Sequence, residues 1–152
     1  MQSHLIVRSA SQSDLEGLTI LFDQYRQFYQ CAPDLAAARN WLKENIEQER
    51  SAIFVADSGG TLLGFTQLYP ALCSVDLVDY FVLYDLFVVE AARRQGIARA
   101  LMNAASDWAK AHGAARLDLE TARDNIPGQA LYRDLGYEPD EVFLKFSLDL
   151  TE

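Results

Sequence analysis

The stretch of this chain best equipped for chemistry is an arginine-rich, glycine-containing turn. It reads Asp85-Leu86-Phe87-Val88-Val89, Glu90-Ala91-Ala92, then Arg93-Arg94-Gln95-Gly96-Ile97-Ala98-Arg99. An apolar run ends there and helical spacing begins. Such a junction aims the unpaired amides of a first helical turn, and the positive end of the helix dipole, at one place. That place suits a phosphate or pyrophosphate. Gly96 lets the backbone approach a ligand with no Cβ in the way, and Ala98 is nearly as small. Arg93, Arg94 and Arg99 add positive charge where basic residues are unfavourable without an anion. Neither a Gly-Lys-Ser/Thr phosphate loop nor a GxGxxG turn is present, so the nucleotide sites built on those motifs are excluded.

A second chemical candidate is Asp85, the one acid in the apolar and aromatic run Tyr80–Val89. A buried carboxylate is costly, so it asks for a reason. It is either a general base or a structural group tying down a backbone amide or a tyrosine. Glu120 stands at the end of a later strand, where a structural role fits it.

The elements that must position these groups follow from periodicity. Leu5-Ile6-Val7 reads as a first strand. Ser11 and Asp14 precede a helical stripe through Leu15, Leu18, Leu21, Phe22 and Tyr25. Pro33-Asp34 opens a second helix with Leu35, Ala38, Trp41, Leu42 and Ile46 on one face. Ala52–Ala56 and Leu62–Tyr69 form a hairpin across Ser58-Gly59-Gly60, which Pro70 should end. Residues 71–80 read as a loop or partly extended segment. Tyr80–Val89 is a strand covered on both faces. A helix from Ile97 closes at Gly113, Ala115–Thr121 is a strand, a helix spans about Pro127–Leu135, and Val142–Leu150 is a final strand. The order β-α-α-β-β-β-α-β-α-β predicts a mixed α/β layer structure around a largely antiparallel sheet.

At 152 residues with no linker or repeat, the chain reads as a single domain. Its 22 acids against 13 Lys and Arg give a net charge of −9, which argues against nucleic acid or anionic membrane as partners. Cys31 and Cys73 make neither a disulfide framework nor a zinc site. The start lacks a signal-peptide pattern and no apolar run is long enough to span a bilayer, so the expected location is cytoplasmic.

Arg93-x-x-Gly96-x-Ala98 after an apolar strand resembles the Gln/Arg-x-x-Gly-x-Gly/Ala segment of the GCN5-related N-acetyltransferase (GNAT) superfamily. Downstream, Glu120-Thr121, Asn125, Leu131-Tyr132 and Gly136-Tyr137 resemble the second family motif in order and spacing. The resemblance implies a GNAT-type central sheet flanked by helices, with a splayed pair of parallel central strands, Tyr80–Val89 and Ala115–Thr121. It implies acetyl-CoA as co-substrate and no metal. The backbone of Phe87, Val88 and Val89 would pair with the pantetheine arm. The amides of Arg94, Gln95, Gly96, Ile97, Ala98 and Arg99 would cradle the pyrophosphate, with Arg93 adding charge. Asn125 would hydrogen-bond the cofactor arm, and Tyr132 would protonate the leaving thiolate. Asp85 or Glu120 would take the proton of the attacking amine, or a water chain would. The acceptor would lie near Tyr25, Tyr29, Gln67, Tyr69 and Asp85. Arg26 could receive a carboxylate, which keeps amino-acid-like acceptors beside small cationic amines. The implied reaction is direct acetyl transfer to a primary amine in a ternary complex. A protein acetyltransferase and a non-catalytic acyl-CoA-binding module are the alternatives. A homodimer is expected, since many relatives pair through the late strands. Three positions depart from the family pattern: Tyr84 replaces an acid seen before the Asp in polyamine-type members, Glu90 stands where many have proline, and Arg94 where many have glycine.

Overall fold

The computed structural model describes residues 4–151. Its contacts divide the chain into two units, one up to Glu120 and one from Thr121 onward. In the first unit, β1 (Leu5–Ser9), β2 (Ala52–Ser58), β3 (Thr61–Cys73), β4 (Val78–Val88) and β5 (Leu117–Asp118) form a five-stranded sheet in sequence order. The first four strands are antiparallel to their neighbours, and β5 runs parallel to β4. Helices α1 (Leu15–Phe28), α2 (Leu35–Glu47) and α3 (Ile97–Ala111) flank it.

Alternation along the strands gives each face its own helices. Ile53, Val55 and Phe65 join Leu15, Leu18, Phe22, Ala38 and Leu42 in a core beneath α1 and α2. Phe54 and Phe81 point the other way, edge-on to Trp108 of α3. Gly64 lets β3, β4 and α3 approach closely, because a Cβ there would lie 2.8 Å from the Phe87 carbonyl and 3.3 Å from Leu101.

Three sequence expectations change between β3 and β5. Pro70 does not end β3, which continues to Cys73 and pairs Pro70 with Phe81. The β2 ladder stops at Leu68, so Pro70 lies where only β4 remains as a neighbour and a missing N–H on the open side costs nothing. The segment 71–80 is therefore the end of a long hairpin, closed by a turn in which Leu77 N–H donates to the Ser74 carbonyl. The strand expected at Ala115–Thr121 is only two residues long.

In the second unit, α4 (Ile126–Asp134) forms as expected, but Val142–Leu150 forms no ladder. Its apolar residues, Val142, Phe143, Leu144, Phe146, Leu148 and Leu150, are all at least 80% exposed. Alternating hydrophobicity marks a strand's face, yet the strand itself needs a neighbouring backbone, and this unit holds no other strand among its described residues. No helix among the described residues is long and apolar enough to cross a membrane.

Candidate active site

β4 carries the site, and a β-bulge shapes it. Gln67 of β3 pairs with Asp85, while the next residue, Leu68, pairs with Leu83. Tyr84 is left without a cross-strand partner and its side chain is 66% exposed. Bulges re-aim side chains next to active sites. Here the bulge leaves Asp85 on the face covered by α1 and α2, where it is only 5% exposed.

Asp85 is held by named donors. Gln67 Nε2 donates to Asp85 Oδ2 at 2.7 Å, and the Tyr25 hydroxyl lies beside the carboxylate, donating to the Tyr84 carbonyl at 3.4 Å. Burial pushes the Asp85 carboxyl above the usual range, and the Gln67 bond and the neighbouring Tyr25 hydroxyl partly offset that. Burial and the neighbouring Asp85 charge push the Tyr25 phenol strongly up, so it acts as a donor. Around this pair stand Tyr29, edge-on to Tyr25 at 5.2 Å, and Tyr69, edge-on to Tyr84 at 5.7 Å. Tyr25, Tyr29, Tyr69 and Asp85, read from the sequence as acceptor-side residues, thus converge. Gln67 differs from them: it is fully buried and its amide is directed at Asp85.

The other half of the site is the edge of β4. The β4–β5 ladder holds only Phe81 with Leu117 and Val82 with Asp118. Past Val82 the strands no longer pair, and the edge of β4 toward β5 is open. Val89 N–H donates to Leu63 O on β3, so by alternation Val88 directs its peptide groups to the open side. There Arg93 Nε donates to Val88 O at 2.9 Å, while its guanidinium lies 5.8 Å from the Phe28 ring and 5.7 Å from Phe87. Arg93 therefore clamps the strand end to the turn. Of the three residues expected to face the pantetheine arm, Val88 presents its N–H to the gap and Val89 gives its own to the sheet.

The turn then reverses direction through two left-handed residues, Arg94 at φ +64° and Gly96 at φ +79°. The positive φ explains why glycine suits position 94; arginine accepts strain there of about 1–2 kcal/mol. The first bond of α3 is Ala100 N–H to Gly96 O, so the amides of Ile97, Ala98 and Arg99 precede the helical ladder. A Cβ on Gly96 would meet no atom within 4 Å. The turn is thus a cradle of backbone donors with open space in front, which fits a pyrophosphate.

In the second unit, Asn125 caps α4: its Oδ1 accepts from Gly128 N–H at 3.2 Å and its Nδ2 donates to Thr121 Oγ1 at 2.9 Å. Both ends of that amide are thereby engaged locally. Tyr132 is half-buried, with its ring 6.3 Å from that of Tyr137. The Tyr137 hydroxyl is buried without a hydrogen-bond partner, and burial pushes its phenol up. Glu120 is exposed at the end of the first unit.

Sequence reasoning missed Asn45, whose side chain donates to Gln67 Oε1 at 2.8 Å, and Ser51, which donates to the same oxygen at 2.7 Å. A signal existed: Asn45 falls on the buried stripe of α2 with Ala38 and Leu42, where an apolar residue is expected.

Comparison with known proteins agrees with this geometry. The profile of the Acetyltransferase (GNAT) family matches residues 17–137. The chain belongs to the GNAT acetyltransferase family. It is 41% identical over 144 residues to an uncharacterized N-acetyltransferase, YhfO, of Bacillus subtilis, covering 95% of this chain and 97% of that one. The crystal structure of a probable acetyltransferase superposes with a TM-score of 0.91 at 32% identity, covering 97% and 99% of the two chains. An aminoglycoside N-acetyltransferase in complex with CoA shares the fold, with a TM-score of 0.82 at 22% identity and 95% coverage of each chain. This GNAT protein is accordingly an acyltransferase, and its family uses acetyl-CoA.

Substituting Gly96→Glu puts a side chain and a negative charge into the cradle. CoA affinity, measured by calorimetry, should fall by more than about tenfold; affinity equal to wild type would remove the turn from the binding site.

Proposed function

We propose that this protein transfers the acetyl group of acetyl-CoA directly to a small cationic primary amine in a ternary complex, with the whole chain serving as one acetyltransferase domain. The observation that carries this reading is the buried Asp85 carboxylate, set among Tyr25, Tyr29, Tyr69 and Tyr84, on the strand whose C-terminal end leads into the Gly96 cradle. Aromatic faces and a carboxylate are the usual means of holding an ammonium group. An amino-acid-like acceptor, its carboxylate received by Arg26, is the second form of the same reading.

Bound acetyl-CoA supplies a thioester carbonyl that an amine can attack. The protein's own groups do the rest. The amides of residues 94–99 hold the pyrophosphate, with Arg94 and Arg99 adding charge. Val88 N–H steadies the cofactor arm, with Phe87 and Val89 fixing the strand, and Asn125 is the residue that the family motif assigns to the arm. Asp85, directly or through water, takes the proton that the ammonium must lose before attack. Glu120 is the alternative acceptor of that proton. As the new N–C bond forms and the C–S bond breaks, Tyr132 gives its phenolic proton to the departing sulfur. Dependence on acetyl-CoA supports a cytoplasmic location.

The test mixes the protein with acetyl-CoA and a panel of polyamines, aminoglycosides, amino acids and peptides, and follows free thiol. Turnover with a small amine is expected. CoA binding without turnover on any amine would overturn the enzymatic reading, and turnover on peptides alone would replace the acceptor class. With the active amine, Tyr132→Phe should lower kcat by about 10²–10⁴; an unchanged kcat under rate-limiting chemistry would remove Tyr132 as the acid.

We further propose that two copies associate through the exposed apolar segment Val142–Leu150, which satisfies its backbone and its apolar face in one step. Light scattering should give a dimer for wild type and a monomer for the double variant Leu144→Asp, Phe146→Asp. A monomeric wild type would contradict it.

A further inference from the structure

Behind Asp85 runs a chain of side-chain amides that ends in a cation. Arg50 Nε donates to Asn45 Oδ1 at 2.9 Å, Asn45 Nδ2 to Gln67 Oε1 at 2.8 Å, and Gln67 Nε2 to Asp85 Oδ2 at 2.7 Å. Asn45 and Gln67 are fully buried. A primary amide has one donating and one accepting end, so each link sets the direction of the next. Gln67 Oε1 receives two donors, Asn45 and Ser51, which leaves only its N–H₂ to face Asp85. Asn45 Oδ1 faces Arg50, a group that never deprotonates in proteins. Every dipole in the chain therefore points its positive end toward the carboxylate.

We propose that Arg50 and Asn45 are positioning residues for acetyl transfer, fixing the Gln67 amide so that it always donates to Asp85 and so keeping that carboxylate ionised and aimed at the acceptor. This rests on the reading of Asp85 as the acceptor-side acid. Arg50 is itself held in place, 5.2 Å from the centre of the Trp41 ring and 3.4 Å from Glu44. Trp41 Nε1 and Asn45 Nδ2 both donate to the Tyr69 hydroxyl, so the same chain also fixes one wall of the aromatic ring around the site.

The other titratable groups near Asp85 are tyrosines: Tyr25 with its neighbour Tyr29 from α1, Tyr69 from β3, and Tyr84 from β4. Burial together with the Asp85 charge holds the Tyr25 and Tyr69 phenols up. Arg50 is therefore the cation that the chain delivers to Asp85, and Glu44 is the acid set against it.

The sign is set by removing the cation. Losing Arg50 disfavours the ionised Asp85, so the acid limb of kcat/KM for the amine should move to higher pH. The arginine is partly exposed and screened, so the expected movement in Arg50→Gln is about half a unit, a roughly threefold loss on the acid limb. The KM for acetyl-CoA should not change, high salt should shrink the difference, and Arg50→Lys should restore part of it. Asn45→Ser, which frees Gln67 to turn, should lower kcat for the amine at every pH. Asp85→Asn in the same assay separates the two claims. If Asp85→Asn abolishes the acid limb while Arg50→Gln leaves it in place at full stability, the relay is wrong and Asp85 stands. If Asp85→Asn keeps the wild-type acid limb, the role of Asp85 itself is wrong.

Discussion

The hydrogen bond from Gln67 to Asp85 across β3 and β4 is the constraint around which this site is built. Transferring a carboxylate from water into a protein interior costs several kcal/mol even after relaxation. The fold offsets that cost with a donor of fixed direction, Gln67, with a polarised amide chain behind it, and with the Tyr25 hydroxyl beside the carboxylate. The bulge at Tyr84 belongs to the same solution. It lets Asp85 face Gln67 under α1 and α2 while Tyr84 turns outward beside Tyr69. A different register would bury the acid without donors or expose it without an aromatic setting.

In the proposed reading one strand serves both substrates through different parts of its chemistry. Side chains of β4 on the α1 and α2 face would make the acceptor end. Its backbone on the opposite edge, beyond the short β5 ladder, would make the cofactor end. The Arg93 clamp on Val88 joins this edge to the left-handed turn, so the position of the α3 amides depends on where β4 stops. Fold and site are one construction here, because the same residues that close the sheet define the gap.

Much of this was legible in the sequence because it rests on local rules. The left-handed turn before α3 follows from Gly96, α1 to α3 from their stripes, and the suspicion about Asp85 from a lone acid in an apolar strand. What was not legible depends on pairing. The continuation of β3 past Pro70 depends on where β2 ends. The bulge depends on register between β3 and β4. The reassignment of Gln67 from an acceptor contact to a partner of Asp85 depends on Asn45 and Ser51, which arrive from α2 and from just before β2. Val142–Leu150 shows the limit from the other side: its alternation is clear, yet a strand is a relation between two backbones, and its own unit provides no second one among the described residues.

The central claim is that Asp85 is a buried carboxylate whose charge meets a cationic amine. Its protonation can be followed by carbon-detected NMR of the carboxyl group, with and without a saturating amine in the presence of CoA. The account predicts a midpoint above the ordinary carboxylate value of about 3.9, moving down when the amine binds. An ordinary midpoint that no amine displaces would contradict it.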